Sequence, residues 1–101
     1  MSMNARHCCI VFSPHRISAI QKLEEIAVNR TVERKVNSYG VRYILDDNEE
    51  WIWVNPESDK ARGYRAHKAL VDVACSQRAL NQIVFPACST YCPEIEYYTF
   101  E

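Results

Sequence analysis

The stretch Lys60-Ala61-Arg62-Gly63-Tyr64-Arg65-Ala66-His67-Lys68 is where side chains able to do chemistry crowd together. Four permanent cations, one histidine and one tyrosine fall within nine residues around a glycine. Glycine tolerates a positive φ, which lets backbone N–H groups converge, and an arginine fork matches two oxygens of a phosphate or carboxylate. Arg62, Tyr64, Arg65, His67 and Lys68 are therefore candidate contacts to a phosphate, a nucleic-acid backbone or an acidic patch on a protein. The plainer alternative is a solvated loop whose arginines pair with segment 46–59, which holds Asp46, Asp47, Glu49, Glu50, Glu57 and Asp59 and no base.

Trp51 and Trp53 are the second group. They alternate, so a strand puts both on one face, with Tyr43 opposite on the preceding strand. Either they are core, or they anchor a protein partner as interface tryptophans do. Ile52 and Val54 make this arm apolar on its other face too, which calls for cover from the domain itself, a second copy or a partner.

Other chemistries find less support. The five cysteines Cys8, Cys9, Cys75, Cys88 and Cys92 are an odd number that suits reduced thiols. Only Cys88 and Cys92 have the spacing of a zinc knuckle, and no second pair completes it. Cys8 and Cys9 are adjacent on an expected strand and point to opposite faces. His15 and Arg16 stand near an expected helix N-terminus, where the dipole disfavours cations and an anion contact would explain them. A hydrolase or nuclease around Asp72 and His67 would need a second carboxylate that the sequence does not place. No catalytic set, metal site or cofactor is expected.

These residues must be held by a small framework. With 101 residues, 48% hydrophobic, 25% charged and a net charge of -1, the chain suits one globular domain over residues 1–101 and has no global pull toward nucleic acid or anionic membrane. No apolar run approaches the roughly 18 residues of a membrane helix, nor does the start resemble a signal peptide, so a cytosolic location is expected. Cys8 to Phe12 is a continuous apolar run, the pattern of a strand buried on both faces. Ser13 then offers an N-cap and Pro14 a first helical position, and Ile17, Ile20, Leu23, Ile26 and Ala27 give residues 14–28 one apolar stripe. Val41 to Leu45 and Trp51 to Val54 read as a hairpin, with residues 32–38 extending its first arm and Gly40 marking a bulge or bend. A polar loop to about Ala66 leads to a buried strand, Ala69 to Val71, ending at Asp72. A second helix runs from Ser76 to Phe85, which Pro86 must end or kink. Ile95 to Phe100 closes the chain as a strand. The fold class is α/β, or α+β: one mixed sheet of about five strands with two helices, in the order β-α-β-β-β-α-β.

A strand-helix start, a hairpin, then Ala61-Arg62-Gly63-Tyr64-Arg65-Ala66 leading into Ala69-Leu70-Val71-Asp72, resembles the middle of a helicase or phage terminase ATPase core. That resemblance implies an aspartate at Asp72 of the kind that binds magnesium. The chain departs from the family in two ways. Its two glycines cannot form G-x-x-x-x-G-K-[ST], and Val73 stands at the catalytic glutamate's place. An autonomous ATPase is excluded on those grounds. The Trp-Val-Asn-Pro and Arg-Gly-Tyr-Arg stretches are also similar to small accessory proteins of phages and mobile elements. The expected function is a non-enzymatic interaction protein, of phage or mobile-element origin, that binds another macromolecule through Arg62, Tyr64, Arg65, His67, Lys68, Trp51 and Trp53, with self-association as one form of this. The alternative is a nucleic-acid-binding module that uses the Arg62–Lys68 loop on phosphates, with Tyr64 stacked on a base.

Overall fold

The computed structural model describes residues 7–37, 40–61, 63–90 and 94–99. Arg62, Cys92 and Phe100, singled out above, lie outside them. Six strands form one sheet: β1 (His7–Phe12), β2 (Thr31–Asn37), β3 (Gly40–Leu45), β4 (Glu49–Val54), β5 (Lys68–Asp72) and β6 (Ile95–Tyr98), in the order β2-β3-β4-β1-β5-β6. β1 is parallel to both neighbours, β4 and β5, and β6 runs parallel to β5. β2, β3 and β4 form an antiparallel meander. The central place of β1 explains its sequence, since Cys9, Ile10, Val11 and Phe12 are all 0% exposed.

The expected α/β class and mixed sheet are present, with six strands instead of about five. The extra one is β2, which pairs with β3 along its length, so residues 31–37 are a separate edge strand. Its sequence, Thr-Val-Glu-Arg-Lys-Val-Asn, is too polar to announce a strand. An edge position tolerates that polarity because the outer side needs no apolar cover, and charge there discourages stray pairing. Gly40 opens β3, and the register shift lies between Thr31 and Glu33.

The α1 helix (Arg16–Ala27) covers one face of the sheet, placing Ala19, Leu23 and Ala27 against Cys9, Val11, Tyr43, Leu45 and Trp51. The opposite face is covered by the connection from β4 to β5, which includes a 3-10 turn (Asp59–Ala61), and by a helical rod. Ala61 and Ala66 of that connection pack with Phe12, Val71, Val84 and Ala87, so the polar loop expected there has a buried side. Crossovers that step in opposite directions along the sheet thus lie on opposite faces, as a single crossover handedness requires.

Two helix expectations need correction. α1 begins at Arg16, with His15 as an N-cap that makes no side-chain capping bond. Ser13 does not cap the helix because its hydroxyl accepts the N–H of His15 at 3.0 Å and donates to Asp72 at 2.8 Å. The second helical segment runs past Pro86 as α2 (Gln77–Ala79), a π turn (Leu80–Val84) and α3 (Phe85–Ser89). Within it the Phe85 N–H bonds to the Leu80 carbonyl, five residues back. A proline ring clashes with the carbonyl four residues before it, and the widened turn accommodates that clash without ending the rod.

Candidate binding groove

The carboxyl ends of the parallel strands meet at a hydrogen-bonded knot. Asp72 Oδ2 accepts from Ser13 at 2.8 Å and from Ser18 at 2.9 Å, while Oδ1 accepts the Ala74 N–H at 2.9 Å. Ser18 has spent its proton on Asp72, so the Tyr98 hydroxyl, 3.1 Å away, donates to Ser18. Burial would raise the Asp72 pKa, but the Ala74 N–H and the two hydroxyls outweigh it, and the carboxyl lies below its ordinary value. Both oxygens of the aspartate that the ATPase resemblance singles out are thus engaged by donors of its own chain. Val73, beside it, is 57% exposed.

The four described thiols are poor nucleophiles. Burial pushes Cys9 and Cys75 up to about 12 and raises Cys8 and Cys88 as well. Cys8 and Cys9 do face opposite sides of the sheet, each packed into a different core cluster. Among the described residues no three histidine, cysteine or acidic side chains gather to hold a metal ion.

The structure divides the candidate binding residues into two groups. His67, Lys68 and Trp51 lie at the amino ends of the parallel strands. His67 accepts the Cys8 N–H on Nδ1 at 3.1 Å and stacks on His7 with ring centroids 4.9 Å apart. Lys68 forms an ion pair with Glu49, whose other oxygen accepts the Trp51 indole N–H at 3.1 Å. Trp51 is 5% exposed and packs in the core, so it is not an exposed anchor. A cavity of about 440 Å³ lies here, lined by Ile26, Trp51, His67, Lys68, Leu70 and Glu96 among others.

Tyr64 and Trp53 form the other group. They line a shallow groove with two adjoining lobes of about 280 and 160 Å³, and both lobes also share Gly40. Lys35 and Arg42 line the first lobe and Lys60 the second; no aspartate or glutamate lines either. Trp53 is held in place by its indole N–H, which donates to the Ser13 carbonyl at 2.9 Å, and by the Arg16 guanidinium 5.8 Å from its ring centre. Arg16 also donates to the Asn37 carbonyl at 2.6 Å. Tyr64 is 38% exposed and follows Gly63, whose φ of +94° is the left-handed conformation glycine adopts without strain. Arg65 is exposed and donates to the Tyr64 carbonyl at 3.1 Å.

Among the described residues, the acidic segment finds its partners mostly outside the loop. Arg30 contacts Asp46 at 3.5 Å and Asp47 at 2.5 Å, Arg42 pairs with Glu50, and Glu57 accepts from the Ser76 hydroxyl at 2.8 Å. Of the described residues in the basic stretch, Lys68 joins it, through Glu49.

Lys35 and Arg42 were not recognised as site residues from the sequence, and Lys60 was noted only as a member of the basic stretch. Lys35 and Arg42 are direct cross-strand partners, two cations facing each other on one sheet face. Like charges so placed are destabilising. Glu50 offsets part of this through its bond to Arg42 Nε, while among the described residues neither Lys35 nor Lys60 has an ion-pair partner. Pairing Val36 with Val41 across the turn would have exposed the Lys35–Arg42 opposition, but a polar strand gives no cue to that register.

No model of a known protein family, no curated protein and no solved structure matches the chain. No described helix is long and apolar enough to cross a membrane.

Proposed function

We propose that this is a non-enzymatic protein, of phage or mobile-element origin and acting in the cytosol, that binds another macromolecule through the Tyr64–Trp53 groove, and that the partner is polyanionic. The observation that carries this reading is the groove's composition. Lys35, Arg42 and Lys60 gather around Tyr64, and no carboxylate lines the surface. A cation-rich concavity attracts a polyanion over a Debye length even on a chain whose net charge is -1. The opposed Lys35 and Arg42 supply a further reason, since an anion laid between them relieves their repulsion.

Titration with inorganic polyphosphate at several salt concentrations tests the reading. Binding should weaken log-linearly with salt, and a Lys35→Gln/Lys60→Gln double variant should lower the slope by about two. Lys22→Gln, on α1 and away from the groove, should leave it unchanged. Absence of binding at low salt, or a double variant that behaves as wild type, would overturn the proposal.

A further inference from the structure

We infer that the polyanion is single-stranded nucleic acid, its backbone following the two cationic lobes and one base stacked on Tyr64. This rests on the reading just given and names the occupant of the same groove. Tyr64 lines both lobes, so a chain that runs from Lys35 and Arg42 to Lys60 must pass its ring. Phosphates and a stacking face are therefore demanded of the same ligand at neighbouring points. An acidic peptide can satisfy the lysines but carries no regular π face beside each charge, whereas every nucleotide of an unpaired strand carries both.

A duplex fits poorly for a geometric reason. Its bases are stacked inside and show only their edges in the grooves, so a tyrosine cannot reach a base face without unstacking it. Entry to a major groove takes a protruding helix or two-stranded ribbon. Here the binding surface is concave, and it is built from the Gly40 end of β3, from Trp53 and Val54 on β4, and from the loop at Lys60 and Tyr64. Gly40 favours close approach: a Cβ added there would meet nothing within 4 Å, so the surface at the junction of the lobes is open. Behind the groove, Trp53 is fixed by Ser13 and Arg16, which leaves the half-exposed Tyr64 as the ring able to receive a base.

The test measures binding of labelled twelve-nucleotide oligo-dT and oligo-U, a DNA duplex of equal length and poly-glutamate. The proteins are wild type, Tyr64→Ala, Tyr64→Phe and Lys35→Gln/Lys60→Gln, each checked for folding by circular dichroism. Wild type should prefer a single strand to both the duplex and poly-glutamate. Tyr64→Ala should lose roughly 5- to 150-fold in affinity while its salt slope stays that of wild type, because stacking releases no counterions. Tyr64→Phe should retain binding, and the lysine double variant should flatten the slope. Equal binding of duplex or poly-glutamate, or a Tyr64→Ala variant as tight as wild type, would overturn the inference; polyphosphate binding that persisted in that case would leave the broader proposal standing. Loss of polyphosphate binding as well would overturn both.

Discussion

The hydroxyl of Ser13 lies 2.8 Å from a carboxylate oxygen of Asp72, joining the carboxyl ends of β1 and β5 across fifty-nine residues of chain. Ser18, from α1, reaches the same oxygen at 2.9 Å, so one buried carboxylate ties two strands and a helix together. Hydrogen bonds to a charged acceptor contribute more than neutral ones, and Ser13→Ala should cost about 1.5–3 kcal/mol. The Asp72 carboxyl holds its proton less tightly folded than at its ordinary value of 3.8. Its contribution is therefore complete above that value and is lost as pH falls through the lower folded-state value. Urea unfolding of wild type and Asp72→Asn from neutral to acid pH should show a steeper acid loss in wild type; parallel curves would refute the assignment.

Glu49 separates a hydrogen bond from ion pairs. Its carboxylate is buried, accepts the Trp51 indole N–H, pairs with Lys68 and lies 3.7 Å from Arg30. Glu49→Ala leaves a covered indole donor without its partner and should cost about 1–3 kcal/mol. Glu49→Gln keeps an acceptor for the indole and gives up attraction to two solvent-facing cations, a loss of about 1 kcal/mol or less. Denaturant titration of the two variants decides it, since equal losses would assign the stabilisation to the ion pairs.

The two glycines should respond in opposite directions. Gly63 has open space around a would-be Cβ but a φ of +94°, so Gly63→Ala strains the backbone alone, by about 1–2 kcal/mol. The same change should weaken groove binding, because Gly63 sets the direction in which Tyr64 leaves the chain. Gly40 lies in a strand without a positive φ, and Gly40→Ala should be neutral or stabilise by up to about 1 kcal/mol. Thermal melts of both variants are the measurement, and a Gly63→Ala protein as stable as wild type would contradict the backbone argument.

Cys9 and Cys75 should be inert toward iodoacetamide in the native protein. With both thiols pushed up to about 12, only about one in ten thousand is ionised at pH 8, against a substantial fraction once the chain unfolds. Mass spectrometry across a urea series should show their labelling appear together with unfolding. Rapid labelling of either in the absence of denaturant would mean that its site opens locally.

Where a residue's role follows from its neighbours in the chain, the sequence was legible. The run Cys8 to Phe12 announced the central strand, because a strand covered on both faces has no polar side to show. The stripe from Ile17 to Ala27 announced α1, and Trp51 and Trp53 were correctly given one face, opposite Tyr43. β2 was read as an extension of the hairpin's first arm and not as a strand of its own, because its position at the sheet edge removes the apolar signal. Ser13 was misread as a cap because the helix starts two residues later than the local pattern suggests, so its hydroxyl accepts the His15 N–H outside the helix while its proton goes to a carboxylate fifty-nine residues away. The grouping of the candidate residues was not legible: Tyr64 and Trp53 border one groove, whereas His67, Lys68 and Trp51 belong to the opposite ends of the strands.

By itself the sequence determined the α/β class, the location of the core strand and first helix, the positive-φ glycine and the absence of a phosphate-binding glycine loop. Each depends on periodicity or on the conformational range of single residues, which are properties of neighbours along the chain. Tertiary structure alone decided that β1 lies between β4 and β5, that Asp72 is engaged by two serines, and that Lys35 opposes Arg42. Strand order and register bring distant segments together through burial on both faces at once. Which cations collect around Tyr64, and which are spent on the acidic segment, follows from that long-range pairing.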